Sequence, residues 1–262
     1  MSLTVSRLAT SRIKMRPHVI CHMISSVDGR LDLDRWTPPV AGTPDGLAFR
    51  VYEGIESRLG ADAWMIGRNT MAELVTGPFA NKEIVTEPLP RDTFIAYKGA
   101  GSLATVVDAH GKLEFSCNSV RTDRIVTVLG TQVSDAYLAS LRMAGISYVF
   151  AGPDGNNLES ALQSLRRDFG VEKLLLEGGG ILNGTFLAAG LIDELSLLIY
   201  PGIDGLAGVP SIFEFHGTEQ SHPAKGSVLR HFHTETLESG VVWLRYRIEA
   251  VQPTINIWPV SS

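Results

Sequence analysis

Short apolar runs alternate with segments of helical spacing along most of this chain. Residues 18–24 are mostly apolar and few, the mark of a buried strand. Thr43-Pro44-Asp45-Gly46 offers an N-cap followed by proline at the first helical position, predicting a helix through Arg50 and Ile55 to about Leu59, ended near Gly60. Residues 63–66 predict a second strand, closed by Gly67, and residues 94–97 and 103–107 are strand-like. Residues 76–92, rich in Pro, Thr and Gly, read as loop. The second half alternates more regularly. Strand 125–129 leads to a helix capped by Ser134 and ended by Gly145, then strand 146–150 and helix 157–169, ended by Gly170. Strand 173–176, helix 181–189 and strand 195–200 follow, the last stopped by Pro201-Gly202. After a loop at 202–226, residues 228–237 and 241–248 flank Glu238-Ser239-Gly240 as a hairpin.

Strands alternating with helices predict a three-layer α/β/α fold, its mostly parallel sheet covered on both faces, with the C-terminal hairpin as an antiparallel edge. No proline-rich linker, repeat or low-complexity tract interrupts residues 17–250, which read as one domain between a polar, basic extension (1–16) and a C-terminal tail (251–262). Charge narrows the class. A net charge of −5 with no basic cluster argues against a nucleic-acid surface. No apolar run approaches the roughly 20 residues of a membrane span. No apolar stretch follows Arg7, Arg12, Lys14 and Arg16 in signal-peptide style, so a cytoplasmic location is expected. Cys21 and Cys117 form no CxxC pair and read as two buried free thiols of a reducing compartment.

Candidate chemistry concentrates where strands run into glycine. Leu174-Leu175-Leu176-Glu177 stops at a carboxylate, and Gly178-Gly179-Gly180 opens a helical segment. Glycines there admit a phosphate close to the backbone at a helix N-terminus, or else let helix and strand pack closely with no ligand. Met65-Ile66-Gly67-Arg68-Asn69-Thr70 repeats the pattern with a guanidinium and a hydroxyl. Arg68 suits a phosphate or an ordinary ion pair, and Thr70 can cap a short helix. Two such turns in one sheet fit a dinucleotide pyrophosphate held between two loops. Gly178-x-Gly180-x-x-Asn183 lacks the third glycine of a Rossmann fingerprint, and no P-loop or GxSxG elbow is present.

These residues carry a resemblance. Met65-Ile66-Gly67-Arg68-x-Thr70 is similar to the cofactor turn of dihydrofolate reductases, and Glu177-Gly178-Gly179-Gly180 resembles their second glycine turn. Ser26-Val27-Asp28-Gly29-Arg30 resembles the S-x-D-G motif of the pyrimidine reductases of riboflavin biosynthesis, a family that includes the C-terminal reductase domain of bifunctional deaminase–reductases. The run from Gly190 to Leu195 and Pro201 also match that family, so the resemblance spans roughly residues 17–249. It implies a dihydrofolate-reductase-like fold, NADPH as hydride donor, a homodimer, and a ribosylamino-pyrimidine phosphate, such as 5-amino-6-(5-phosphoribosylamino)uracil, reduced to its ribityl form. It implies cofactor contacts from Gly67, Arg68, Thr70, Gly178, Gly179 and Gly180. Substrate contacts are implied for Ser26, Asp28 and Glu177, with Asp28 as the catalytic carboxylate, delivering a proton or orienting the substrate.

The chain departs from the family at Glu73-Leu74-Val75-Thr76-Gly77-Pro78-Phe79, where the matching aspartate and arginine are missing, and the zinc-binding deaminase half is absent. Alternatives are a reductase of another small heterocycle and a non-catalytic NADPH-binding sensor. From the residues alone, Asp28 with Gly29 also reads as an Asx-type turn. Arg68, Thr131 and Gln132 are the candidates for selecting a 2′-phosphate. Trp36 and Pro38-Pro39 read as a mobile loop over the substrate. His231-Phe232-His233, with His216 and His222 upstream, has no held third ligand, so no metal site is expected. Asp193 and Glu194, adjacent on a strand, face opposite ways and read as structural or interface residues.

Overall fold

In the computed structural model, residues 15–75, 77 and 87–251 are described. The elements are β1 (His18–Ser25), α1 (Leu47–Leu59), β2 (Ala63–Gly67), α2 (Arg68–Val75), β3 (Leu103–Val107), β4 (Ser119–Val120), β5 (Asp123–Leu129), α3 (Asp135–Met143), β6 (Ser147–Phe150), α4 (Leu158–Phe169), β7 (Lys173–Leu176), α5 (Gly180–Ala188), β8 (Glu194–Ile199), β9 (Ser227–Thr236) and β10 (Val242–Ala250). They build one ten-stranded sheet in the order β4-β5-β3-β2-β7-β1-β8-β10-β9, with β6 paired to β5. From β6 to β8 every pairing in the central path is parallel. β10 pairs antiparallel with β8 and β9, and β4 antiparallel with β5. The expected α/β fold with an antiparallel C-terminal hairpin is the one observed.

Strand parity divides the core. Ala63, Met65, Leu174 and Leu176 pack with Leu158, Leu162 and Leu165 of α4 and Phe186 of α5. Their neighbours point the other way: Ile20, Leu175 and Trp64 toward Leu47, Ile55 and Leu59 of α1, and Ile66 toward Met71 and Val75 of α2. Near-continuous apolar strands are what burial on both faces requires. At the C-terminal end of β7, Leu176 and Glu177 therefore face opposite layers.

Caps explain several helix ends. Ser134 and Asn157 accept from the Tyr137 and Ser160 N–H groups, and α4 ends at Gly170 in the left-handed region. Four expectations are corrected. α1 starts at Leu47 on a left-handed Gly46 (φ 68°), not on a Thr43 cap, because Asp45–Gly46 makes a turn. Residues 94–97 form no strand: only Phe94 pairs, through reciprocal N–H···O bonds of 3.0 Å with Tyr148. Trp36 is not on a mobile loop but packs in the core against the Tyr200 ring, with centroids 5.2 Å apart. Cys117 is exposed, whereas Cys21 is buried. Residues 1–14 of the N-terminal extension, 252–262 of the tail, and 76 and 78–86 of the loop lie outside the described residues. Arg16 is described and donates to the Asp193 carboxylate at 2.7 Å. Among the described residues, no helix is long and apolar enough to cross a membrane.

Candidate active site

The two strand-to-glycine turns lie side by side. β2 and β7 are parallel neighbours, and beyond their last paired residues the Glu177 N–H donates to the Met65 carbonyl and the Gly67 N–H to the Gly178 carbonyl, both at 2.8 Å. Both turns therefore sit at the C-terminal edge of the sheet, where open α/β folds bind ligands. The three glycines there have separate causes. Gly178 has φ +91°, a conformation that disfavours side chains, and the Gly178–Gly179 peptide is cis. Gly179 has ordinary dihedrals, and a Cβ on it would project into open space. A Cβ on Gly180 would strike the Ser211 carbonyl, and one turn later a Cβ on Gly184 would strike the Glu214 backbone. Close packing accounts for Gly180 and Gly184, and only Gly179 is left open for a ligand.

On the α4–α5 side, a cleft of about 450 Å³ opens over these turns, lined by Gly67, Arg68, Gly179, Gly180, Asn156 and Glu214 among others. Arg68 is exposed and makes no hydrogen bond or ion pair with any described residue, so its fork of donors is free. α5 begins in this cleft with no side-chain cap, leaving the amides of its first turn for an anion. A free guanidinium, uncapped helix amides and an open glycine fit a dinucleotide pyrophosphate. Thr131 and Gln132 do not line the cleft, which leaves Arg68 as its one lining cation among the described residues.

On the opposite face, a groove of about 290 Å³ runs between α1 and α2 over β2. Thr70 faces this groove instead of the glycine-lined cleft; α2 starts at Arg68, so Thr70 lies in its first turn and does not cap it. The walls carry Glu53 and Glu56 from α1, Asp123 from β5, and Glu177. Glu177 Oε1 is buried without a hydrogen-bond partner. Burial and the nearby Glu56 charge push this carboxyl up to about 8, more than the Tyr52 hydroxyl beside it offsets. Sequence reasoning missed Glu53, Glu56 and Asp123. The spacing of the two glutamates puts them on one helix face, but nothing local says that the face borders a groove.

Ser26 and Asp28 line neither recess. Their loop leaves the end of β1, where the Asp28 carboxylate accepts from the Ser26 hydroxyl (2.7 Å), the Asp204 N–H (3.1 Å) and the Gly205 N–H (2.8 Å). The hydroxyl contact and then the two amides hold its pKa down to about 2. Asp28 thus ties the loop after β8 to the loop after β1 and is ionised at neutral pH. Elsewhere, His231 contacts the His233 carbonyl and the Thr234 hydroxyl, while His233 faces Glu235. Glu194 pairs with Arg245 at 2.6 Å, and Asp193 with Arg16. Asn183 is buried, its amide donating to the Ile212 carbonyl at 2.9 Å.

Comparison with known proteins adds to this geometry. The family model for the RibD C-terminal domain matches residues 17–243. The chain is 29% identical over 208 residues to the 2,5-diamino-6-ribosylamino-4(3H)-pyrimidinone 5′-phosphate reductase of Methanothermobacter thermautotrophicus, covering 79% of this chain and 88% of that one. It is 24% identical over 201 residues to the reductase of the same name from Aquifex aeolicus, covering 75% and 82%. Its fold is similar to that of a pyrimidine reductase-like protein from Corynebacterium diphtheriae, with a TM-score of 0.60 at 20% identity over 89% of this chain and 92% of that one.

Proposed function

We propose a function from one premise: the chain belongs to the RibD C-terminal domain family. It acts as an NADPH-dependent oxidoreductase that reduces a ribosylamino-pyrimidine phosphate, 5-amino-6-(5-phosphoribosylamino)uracil or its 2,5-diamino-pyrimidinone relative, to the ribityl form in riboflavin biosynthesis. The observation that carries the reading is the pair of recesses on opposite faces of the sheet. One is suited to a dinucleotide and the other to a small heterocycle, and Glu177–Gly178–Gly179 runs between them. The names of the two curated relatives support the substrate class.

A bound nicotinamide dinucleotide would supply hydride to the imine carbon of the ring-opened ribosylamine. Arg68 and the first-turn amides of α5 hold its phosphates, and Gly179 lets the backbone approach them. Glu177 orients the substrate at the boundary of the two recesses. Asp28, ionised and fully engaged with Ser26 and the 204–205 amides, orients the loops over the site and is not the acid. The proton for the imine nitrogen comes from water. The chain works as a homodimer in the cytoplasm; exposed Val228, Leu229 and Phe232 on edge strand β9 support pairing with a second copy.

NADPH oxidation followed by absorbance, with the two ribosylamino-pyrimidine phosphates and with dihydrofolate in parallel, tests the reading; turnover of neither pyrimidine by protein that still binds NADPH overturns it. Arg68→Ala is expected to raise the KM for NADPH by about 10- to 100-fold, the value of a charge-assisted hydrogen bond of about 1.5–3 kcal/mol. An unchanged KM takes Arg68 out of the cofactor site. Asp28→Asn keeps the shape but turns an acceptor into a donor facing backbone N–H groups. Turnover is expected to fall about tenfold or more through misplacement of the loops, with NADPH affinity unchanged. Steady-state kinetics beside NADPH titration separate the two effects, and wild-type turnover removes Asp28 from the mechanism.

A further inference from the structure

We infer that the Glu214 carboxylate belongs to the cofactor site, where it accepts the ribose hydroxyls on the nicotinamide side of the dinucleotide. The inference rests on the proposed use of the glycine-lined cleft. It goes beyond that reading in naming a residue, outside both glycine turns, that sets which end of the cofactor meets the substrate recess.

Glu214 lies in the loop between β8 and β9 but is held against the start of α5. Its N–H donates to the Gly180 carbonyl at 2.9 Å, and a Cβ on Gly180 would stand 3.2 Å from its Cγ. Carboxylate Oε1 accepts from the Ser211 N–H at 3.3 Å. Oε2 takes no hydrogen bond from any described residue, and the carboxylate pairs with no cation among them. Glu214 and Arg68 are the only charged side chains lining the cleft among the described residues, and they are not paired with each other. A phosphate beside this lone carboxylate is repelled. The part of a dinucleotide that seats itself there is one that brings donors, and on either side of a pyrophosphate those are ribose hydroxyls. A vicinal diol offers two O–H groups, which a carboxylate accepts in charge-assisted hydrogen bonds.

Strand order decides which ribose this is. The cleft crosses the C-terminal ends of β3, β2 and β7, which are neighbours in that order. At the β3 end lie Val107 and Ala109, with Gly155 packed on Ala109 and Asn156 next in the chain. Arg68 stands in the middle, at the end of β2. Gly179, Gly180 and Glu214 stand at the β7 end, where Glu177 borders the other recess. With the pyrophosphate on Arg68 and the α5 amides, only a nicotinamide half laid over the β7 end brings its ring beside Glu177. The adenosine half then runs toward β3, and Glu214 meets the nicotinamide ribose. This direction also keeps Glu214 away from an adenosine 2′-phosphate, which the same carboxylate would repel.

Calorimetry on the full chain tests this with NADPH and three fragments. Reduced nicotinamide mononucleotide stands for the nicotinamide half, its 2′,3′-dideoxy form lacks the diol, and 2′,5′-ADP stands for the adenosine half. Wild type is expected to bind the mononucleotide about tenfold or more tightly than its dideoxy form, the value of a hydrogen bond to a charged group. Glu214→Ala is expected to bind those two equally and to lose about tenfold or more in NADPH affinity. Its affinity for 2′,5′-ADP, held at the far end of the cleft, is expected to stay within about twofold of wild type, which reports an intact cleft. Glu214→Gln keeps an acceptor for the Ser211 N–H but loses the charge, so its diol preference is expected to fall between the other two. A wild type indifferent to the diol, or a Glu214→Ala protein that still prefers it, overturns the inference. Loss of 2′,5′-ADP affinity with the mononucleotide unaffected also overturns it, by reversing the cofactor's direction. If the alanine protein binds no probe, Glu214→Gln decides, and an unchanged diol preference there overturns the inference. A wild type that binds neither NADPH nor either half overturns the proposed cofactor cleft itself, and the inference with it.

Discussion

Gly184→Ala is expected to lower stability by about 2 kcal/mol, whereas Gly179→Ala, five residues earlier, is expected to leave stability unchanged and raise the KM for NADPH about tenfold or more. Both add the same methyl group. At Gly184 the new Cβ points into the Glu214 backbone, which belongs to the loop that covers α5 and cannot rotate away as a side chain does. Overpacking of that kind costs about 3 kcal/mol at its upper range, and the better helix propensity of alanine returns up to about 1 kcal/mol. A net loss of that size lowers the melting temperature by about 4–8 °C in a chain of this length. At Gly179 the φ of −63° suits alanine and the Cβ meets nothing within 4 Å, so stability moves by less than about 0.5 kcal/mol. The added methyl instead occupies space in the cleft that a phosphate needs. Thermal melts beside NADPH kinetics separate the two effects. A Gly179→Ala protein with an unchanged KM would mean that the cofactor does not run past this turn, and the proposed use of the cleft would fall with it.

The same glycines show how much was legible in the sequence. That strand 173–176 ends at the sheet's ligand edge follows from an apolar run stopped by a carboxylate and glycine. Its pairing with the 63–67 strand agrees with two like turns serving one site. Which of the three glycines is left open for a ligand was not legible, because the constraint on Gly180 comes from Ser211, in a loop whose sequence carries no periodic signal. Long-range packing also hid the groove. Glu53 and Glu56 look like a solvated helix face until α2 and the turn before β5 are placed opposite them. Trp36, flanked by prolines and charges, gave a loop signal, but the ring is drawn into the core by Tyr200, more than a hundred residues away. The motif residues Ser26 and Asp28 were easy to find as a pattern. Their partners, the amides of 204 and 205, lie in a loop that no local rule connects to them.

Stability in wild type is expected to fall by about 1 kcal/mol between pH 6.5 and pH 8, and Glu177→Gln is expected to abolish that fall. Two buried groups titrate abnormally and oppose each other. Glu177 holds its proton up to about 8 in the folded chain against 4.5 ordinarily, so between those values the unfolded chain has released a proton that the folded chain keeps. Stability therefore decreases as pH rises across that window. His22, buried against Ser196 and stacked on Tyr52, is pushed down to about 4 from 6.5 by desolvation. Across that range the unfolded chain binds a proton that the folded chain refuses, and stability increases with pH. From about pH 4.5 to 6.5 the two slopes cancel. Above 6.5 the unfolded His22 loses its remaining proton within about one pH unit, and from there only Glu177 remains, at about 1.4 kcal/mol for each pH unit. The groups facing Glu177 act in both directions. Glu56 and Asp123 favour its protonated form, while Tyr52 and Arg121 favour the ionised one. Replacing Glu177 with glutamine keeps the volume and removes the titration. The variant is thus expected to be nearly flat above pH 6.5 and, with the compensation gone, to gain about 2 kcal/mol between pH 4.5 and 6.5 from His22 alone. Urea midpoints for both proteins at pH 4.5, 6.5 and 8 measure this. A variant that kept the wild-type slope above pH 6.5 would show that Glu177 is already ionised in the folded chain. The charge in the groove would then be fixed before any ligand arrives.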